Sequence, residues 1–146
     1  MGVPLLICQS RYNMLERGVE EEGMFRTAEC CGFGMTAYSP LSQGRLTGKY
    51  NSGIPAGSRA SRRQTSLSKD TISPEMIGKV QKIGKIARRR GQTPAQLALS
   101  WILREPAMAS VIVGVSSTAQ LEENIAAVRN LSFEDEELAE IEKILK

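Results

Sequence analysis

The amino-acid sequence predicts an α/β fold with parallel strands. Three short, largely apolar runs, at residues 4–8, 34–38 and 110–113, have the length of strands rather than of helices. Each run is followed by polar sequence rich in serine and glycine and then by a helical pattern. This alternation is typical of parallel β-α units, whose strands are covered on both faces. We therefore expect three strands that are buried on both faces.

The helices on either side of the second strand are predicted from their periodicity and their end signals. A short helix is expected at residues 24–31. Ser73 followed by Pro74 places a capping hydroxyl before a proline in the first helical position, and Gly91 ends the helix that begins there. The apolar residues of its inward face are Met76, Ile77, Val80, Ile83 and Ala87.

Further capping signals define the remaining helices. The sequence TPAQ at residues 93–96 combines a capping box with a proline and opens a helix that ends at Pro106. Ser117 with Gln120 predicts a second capping box. The last helix is expected to begin near Ser132, with its apolar side chains facing inward.

The segment between residues 40 and 72 has no regular period. It contains four glycines and few apolar residues, and loops of this length in a compact domain are usually functional lids or disordered. No repeat or linker divides the chain, so one domain is expected.

Three parallel strands cannot close a barrel, and an open sheet leaves both edges unpaired and one face wet. We therefore expect a missing N-terminal part, a second chain or a domain-swapped copy to cover those edges.

Composition excludes several classes of function. The chain contains no histidine, which rules out a histidine triad, a histidine general base and a histidine metal site. Its three cysteines fit no metal spacing and are interpreted as reduced thiols. No apolar run approaches the roughly 18 residues of a membrane helix, so a cytoplasmic protein without a membrane partner is expected.

The charged runs are interpreted as solvated surface. The basic runs at 62–63 and 88–90 lack nearby aromatic platforms, so no nucleic-acid partner is predicted. The acidic runs at 20–22 and 134–137 are interpreted as exposed helix ends rather than as catalytic carboxylate pairs.

Polar residues follow the three predicted strands at their carboxyl ends, where α/β folds bind ligands. Gln9 is placed at the end of the first strand, and residues 39–44 follow the second. Residues 114–117 follow the third strand and lead into a helix N-terminus, which favours an anion. On that helix, Gln120, Glu123 and Asn124 share one face.

Five segments resemble a known family when taken in order. They are QSRYNMLER (9–17), AYSPLSQGRLTGKY (37–50), GIPAGSRAS (53–61), TPAQLALSWILR (93–104) and VIVGVSSTAQLEENI (111–125). They are similar to the last three β/α units of aldo-keto reductases, in particular the glyceraldehyde-3-phosphate and methylglyoxal reductase branch and the potassium-channel β subunits. The resemblance implies a partial TIM (β/α)8 barrel, with residues 1–146 forming the C-terminal part of an NADP-binding oxidoreductase domain.

The same resemblance implies a set of cofactor-binding residues. Gln9 would contact the nicotinamide amide, and Tyr38 would stack on the nicotinamide ring. The residues implied at the pyrophosphate are Ser39, Pro40, Leu41, Ser42 and Gly44, with Lys49, Ser58 and Arg59 closing over it. The residues implied at the adenosine end are Gly114, Ser116, Gln120, Glu123 and Asn124.

The family's catalytic Asp, Tyr, Lys and His belong to the first half of the barrel, upstream of Met1, so no catalytic residue is predicted in this chain. Tyr12 and Tyr38 match motif positions that serve packing and stacking. The resemblance implies NADP as the cofactor. NAD stays possible, because relatives often place a cation at the position of Ser117, where it meets the 2′-phosphate of NADP, and serine carries no charge.

Three hypotheses follow. In the first, the chain reduces small aldehydes or ketones with a nicotinamide nucleotide when the barrel is complete and is inactive alone. In the second, it is a non-catalytic nucleotide-binding or interaction module whose sheet edges recruit a partner, including a second copy in a homo-oligomer. In the third, it is an inactive truncated chain.

Overall fold

The computed structural model describes residues 4–61, 67 and 71–146. Its strands and helices, in chain order, are β1 (Ile7–Arg11), α1 (Gly18–Glu21), α2 (Met24–Cys31), β2 (Gly34–Tyr38), α3 (Pro74–Arg89), α4 (Pro94–Leu103), β3 (Met108–Ile112), α5 (Thr118–Ile125) and α6 (Asp135–Leu145). Short 3₁₀ segments lie at Ser42–Thr47, Arg59–Ser61 and Ala126–Arg129.

The three strands form one parallel sheet in the order β1-β2-β3. Arg11 lies opposite Tyr38, and Tyr38 lies opposite Ile112, so the carboxyl ends of all three strands are level. The pairing of β2 with β3 shifts between Met35 and Thr36, which is a bulge. In the part of the chain that the structure describes, neither β1 nor β3 pairs with a further strand, as the sequence predicts.

Helices cover only one face of this sheet. Met35 and Ala37 point to the covered face and are fully buried, together with Trp101, Leu97 and other apolar side chains of the helices. The opposite face is largely open, and Tyr38 on it is 39% exposed. The expected wet face of an incomplete sheet is therefore present.

The position of β2 is confirmed, but the outer strands differ from the prediction. β1 begins at Ile7 rather than at residue 4, so Gln9 lies in the middle of the strand and does not end it. β3 spans Met108–Ile112 instead of 110–113. The expectation that both are buried on two faces is wrong, because Ile7 in β1 is 49% exposed and Ile112 in β3 is 47% exposed. An apolar run signals a strand here, but only one face of the sheet has helices to cover it.

An aromatic cluster forms the centre of the core. The Tyr12 ring stacks on Trp101 with 5.3 Å between ring centroids and meets Phe25 edge-on at 5.2 Å. The guanidinium of Arg104 lies 4.0 Å from the centre of the Trp101 ring. Tyr12 is fully buried and its hydroxyl donates to Glu20. The predicted packing role of Tyr12 is confirmed.

The predicted capping of α3 and α4 is confirmed. Ser73 Oγ accepts a hydrogen bond from the Met76 amide at 3.1 Å. Thr93 and Gln96 exchange both bonds of a capping box, at 3.2 and 2.9 Å. These bonds satisfy N–H groups that the first turn of a helix leaves free, which fixes where each helix begins.

Two other helix starts differ from the prediction. Ser117 caps α5 by accepting from the Gln120 amide, but the Gln120 side chain bonds to Ser116 instead, so only half of the predicted capping box forms. The last helix begins at Asp135 rather than near Ser132, because Glu134 and Glu137 form its capping box. Its Ile141 is buried, as expected.

The charged runs are less solvated than predicted. Arg90 has only 5% of its side chain exposed, pairs with Glu137 and lies 3.9 Å from the Phe133 ring centre. Glu20 is half-buried and bonds to both Arg17 and Tyr12. Residues 62–63 lie outside the described part of the chain.

The segment between residues 40 and 72 has more order than its sequence suggests. Tyr50, Ala60 and Leu67 are buried together and pack against Ile72, forming a small second core. Residues 62–66 and 68–70 of this segment are not among those described. The three cysteines are free, as expected, and Cys30 and Cys31 are exposed. No helix within the described ranges is long and apolar enough to cross a bilayer.

The burial of Tyr12 leads to a prediction about alkaline stability. Burial, and then the hydrogen bond to Glu20, raise the pKa of Tyr12 above its ordinary value of 10.0. The neutral hydroxyl therefore contributes stability below pH of about 10, and that contribution is lost as the pH rises further, because the unfolded state releases its proton first. We expect Tyr12→Phe to lower the free energy of unfolding by about 1 kcal/mol at neutral pH and to lose less stability than wild type above pH of about 10.

Urea unfolding of both proteins from neutral pH to about pH 11 measures this, with the exposed Tyr38→Phe as a control for losing a tyrosine hydroxyl. An alkaline loss of stability in Tyr12→Phe equal to that of wild type would show that Tyr12 does not contribute in this way.

Candidate functional site

The level carboxyl ends of the strands bring three connecting segments to one edge of the sheet. The chain leaves β1 at Arg11, β2 at Tyr38 and β3 at Ile112, and these three residues are register partners. Residues 39–44 and 113–117 are the turns that follow β2 and β3. The edge predicted from sequence to carry the polar site is therefore a single continuous region.

Gln9 and Tyr38 share the open face of the sheet. Gln9 pairs with Thr36 and Arg11 pairs with Tyr38, and partners in a parallel register point to the same side. Both Gln9 and Tyr38 are exposed. Because adjacent strands lie about 4.8 Å apart and rise about 3.3 Å per residue, their Cα atoms are roughly 8 Å apart on the diagonal. An amide and an aromatic ring thus face solvent beside the β2 turn.

The turn after β2 has an unusual backbone. Ser39, Ser42 and Gln43 have positive φ angles of 53°, 48° and 55°, and Gly44 follows with 89°. Left-handed conformations cost non-glycine residues on the order of 1–3 kcal/mol each, so the surroundings must hold them. Turns of this kind can also form concave sites that bind anions through backbone N–H groups.

Some backbone amides of this turn form hydrogen bonds within the turn itself. The Ser42 amide donates to the Ser39 carbonyl at 2.9 Å, and the Gly44 amide donates to Leu41 at 2.9 Å. The Ser42 side chain is fully buried, and Arg45 donates to its hydroxyl at 2.6 Å. Among the predicted pyrophosphate residues, Pro40 is buried and Ser39, Leu41 and Gly44 are half-buried. The Ser42 hydroxyl thus faces inward.

A carboxylate that the sequence analysis missed lies under this turn. Glu16 pairs with Arg11 at 2.7 Å and accepts from Asn13 at 2.7 Å and from Ser42 at 3.3 Å. Arg45 lies 3.4 Å from the same carboxylate. Asn13 also donates to the Ser39 carbonyl at 3.0 Å. These contacts join residues up to 29 positions apart, and no local sequence pattern predicts them.

Two residues of the predicted cofactor belt are described in full. The Lys49 ammonium lies against Gly44, where a Cβ atom would come within 2.6 Å of its Nζ. The Ser58 hydroxyl is buried and has no hydrogen-bond partner among the residues that the structure describes. The side chain of Arg59, the third predicted belt residue, lies outside the described part of the structure.

The predicted adenosine-binding residues lie on the turn after β3 and on α5. Gly114, Ser116 and Gln120 are exposed, while Glu123 and Asn124 are half-buried. The Gln120 side-chain oxygen accepts from the Ser116 amide at 2.9 Å and from its hydroxyl at 3.0 Å. These two bonds fix the chain at the entry to α5.

A second residue that the sequence analysis did not assign to the site supports α5. Gln96 of α4 donates to the Glu123 carbonyl at 2.9 Å while also completing its capping box. α5 has no buried residue of its own, so this bond is a main point of attachment. A glutamine in a capping box gives no sequence signal for such a second contact.

The described residues include no cluster of three or more side chains that could hold a metal ion. A shallow groove of about 350 Å³ lies on the helical side of the sheet between α3 and α6. It is lined by Lys82, Lys85, Arg89, Glu140, Lys143 and Ile144. None of these residues belongs to the turns after β2 and β3, and Arg89 is already paired with Glu140, so we place the candidate site at the carboxyl edge of the sheet.

Tyr12 is chemically unsuited to act as an acid. Its hydroxyl is enclosed by the aromatic core, and burial followed by the Glu20 bond raises its pKa. A general acid needs a pKa near the working pH and contact with the reacting group. Tyr12 therefore serves the core and not proton transfer.

Comparison with known proteins identifies the family. The whole chain, residues 1–146, matches the aldo/keto reductase family. The chain belongs to this family.

Two relatives are similar in sequence across this aldo/keto reductase chain. The L-glyceraldehyde 3-phosphate reductase of Escherichia coli O157:H7 is 42% identical over 144 residues, which are 97% of this chain and 42% of that protein. The putative voltage-gated potassium channel subunit beta of Schizosaccharomyces pombe is 42% identical over 141 residues, 94% of this chain and 41% of that protein. The predicted resemblance to both groups is confirmed, and the chain spans about two fifths of the length of these relatives.

A solved structure confirms the fold class. The glycerol dehydrogenase AKR11B4 from Gluconobacter oxydans matches with a TM-score of 0.78 and 24% identity, over 98% of this chain and 43% of that one. At this identity the match shows the fold alone. The three parallel β/α units of the aldo/keto reductase chain are thus part of a TIM-type barrel, and the open face of the sheet corresponds to a barrel interior.

The backbone of the β2 turn leads to a prediction about Gly44. Its φ of 89° is strained for any residue with a Cβ, and the added atom would displace the Lys49 ammonium. We expect Gly44→Ala to lower the free energy of unfolding by about 1 kcal/mol, as measured by urea titration.

Gly78→Ala is the matched control, because Gly78 lies inside α3 with nothing within 4 Å of its added Cβ. It should stabilise the chain by about 0.5–1 kcal/mol. If Gly44→Ala proves as stable as the wild-type chain, the left-handed turn is not a constraint on this sequence.

Proposed function

We propose that this chain is the nicotinamide-nucleotide-binding portion of an aldo-keto reductase and corresponds to the C-terminal part of that domain. The observation that carries the proposal is the placement of Gln9 and Tyr38 on one open face, directly beside the left-handed turn at 39–44. An amide and an aromatic ring suit a nicotinamide, and a left-handed turn with serine hydroxyls suits a pyrophosphate.

The described residues fit such a cofactor. Tyr38 offers an exposed ring for stacking, and Gln9 offers an exposed amide on the neighbouring strand and the same face, which could bond to the carboxamide of a nicotinamide. Within the described ranges, the buried Ser58 hydroxyl has no hydrogen-bond partner, and such a hydroxyl is costly unless something bonds to it. A phosphate oxygen would satisfy that hydroxyl, which supports the predicted belt.

The adenosine end of the nucleotide is proposed at the turn after β3. Gly114 and Ser116 lie before the N-terminus of α5, which has eight residues and a capped start. The residue after Ser116 is Ser117, which carries no positive charge to pair with a 2′-phosphate. This position favours neither nucleotide, so we propose NADP as the cofactor on family grounds alone and keep NAD as the alternative that a titration decides.

The reaction proposed for the complete barrel is the reduction of small aldehydes or ketones, including phosphorylated aldehydes such as the substrate named for the Escherichia coli relative. The bound nucleotide supplies hydride. Tyr38 and Gln9 orient the nicotinamide, and the turns hold its phosphates. Proton donation to the carbonyl oxygen is assigned to residues outside this chain, because Tyr12 is enclosed in the core.

A second candidate function is a non-catalytic nucleotide-binding module. Similarity to a protein named as a putative voltage-gated potassium channel subunit beta favours it, because a channel subunit need not carry out a reaction. In this case the exposed edge at Leu5, Leu6 and Ile7 would receive a partner or a second copy of the chain. Binding of nucleotide without turnover by the full-length protein distinguishes it from the reductase.

Titration of the purified chain with NADPH and NADH, followed by nicotinamide fluorescence, tests the proposed function. We expect saturable binding, with NADPH bound more tightly than NADH. Tyr38→Ala should weaken NADPH binding about tenfold, which corresponds to about 1.4 kcal/mol of lost stacking, while Tyr38→Phe keeps the ring and the affinity.

Size-exclusion chromatography and circular dichroism of each sample establish that it is folded. A folded wild-type chain that binds neither nucleotide would rule out a preformed site, and equal affinities of Tyr38→Ala and wild type would remove Tyr38 from it.

A further inference from the structure

We propose that Glu16 is a positioning residue that holds the β2 turn at 39–44 in its anion-binding shape. This role rests on the proposed nucleotide site. Glu16 itself lies beneath the turn, on the segment that follows β1, and would not touch the nucleotide.

The contacts of Glu16 connect two separate segments through one carboxylate. From the first segment, Arg11 donates to it through Nε at 3.1 Å and through its terminal nitrogen at 2.7 Å, and Asn13 donates at 2.7 Å. From the second segment, Ser42 of the turn donates at 3.3 Å, and Arg45, the residue directly after the turn, approaches to 3.4 Å. Both carboxylate oxygens are thus engaged from both sides.

These contacts fall on the strained part of the turn. Ser42, which bonds to Glu16 directly, has a φ of 48° and no exposed surface. Ser39, whose carbonyl accepts from Asn13, has a φ of 53°. Since residues with a Cβ seldom adopt such angles without support, Glu16 and its partner Asn13 supply the support where it is needed.

The negative charge of Glu16 allows its positioning role to be distinguished from a direct effect of that charge on anion binding. A carboxylate close to a phosphate site repels the ligand, so its neutralisation would strengthen anion binding if charge alone mattered. It would also free two guanidinium groups, Arg11 and Arg45, to attract the phosphate. If Glu16 holds the turn, the same substitution weakens binding instead. The two accounts predict opposite signs.

The test compares Glu16→Gln with wild type by NADPH titration and by amide hydrogen exchange without ligand. We expect the NADPH dissociation constant to rise about tenfold. We also expect exchange to accelerate at residues 39–44 and to remain unchanged at residues 114–124. Glu142→Gln is the matched control, because Glu142 also pairs with an arginine, Arg17, but contacts no residue of the turn.

Glu16→Asp keeps the charge and shortens the side chain by one methylene. It should show a smaller loss in the same direction, and it replaces Glu16→Gln as the test if that variant does not fold. Unchanged or tighter NADPH binding, or exchange that accelerates equally at both turns, overturns the positioning role. Failure of the wild-type chain to bind NADPH overturns the proposed function and this role together, whereas binding that Glu16→Gln leaves intact overturns the role of Glu16 alone.

Discussion

Parallel pairing of three strands is the constraint on which the other features depend. Each connection between parallel strands must return the chain across a face of the sheet, and here all helices pack on the same face. The carboxyl ends of the strands consequently lie level, and the polar turns at 39–44 and 113–117 become neighbours. A site built from residues more than 100 positions apart thus follows from strand direction.

Burial on one side gives the sheet two chemically different faces. The covered face packs Met35 and Ala37 against the core around Trp101, which supplies the apolar burial that stabilises the domain. The open face carries Gln9, Arg11 and Tyr38, whose side chains would be costly to bury without partners. The core and the candidate site therefore lie on opposite faces of the same strands.

Local signals in the sequence predicted local structure well. The capping residues Ser73 and Thr93 fixed the starts of two helices because each bond closes within four residues. The same logic failed at Gln120, whose side chain has two possible partners, Ser116 and Ser117, that sequence cannot rank. The burial of the outer strands was mispredicted because an apolar run does not reveal whether helices will cover one or both of its faces.

The candidate site was only partly predictable for a related reason. The resemblance to family motifs indicated a set of candidate residues, and the fold brings three of its parts, Gln9, Tyr38 and the β2 turn, to one region of the sheet. The supports beneath them, Glu16 and Gln96, act through contacts between segments distant in the chain, and their residue types are common on any surface. Only the three-dimensional structure identifies them.

The most direct test of this account is two-dimensional amide NMR of the chain during NADPH titration. The account predicts that the largest shift changes fall at residues 38–44 and 114–124, with little change in the basic groove between α3 and α6. Shifts concentrated at Lys82, Lys85 and Lys143 would instead indicate that the nucleotide binds as a polyanion on the helical side, which would contradict a site at the carboxyl edge of the sheet.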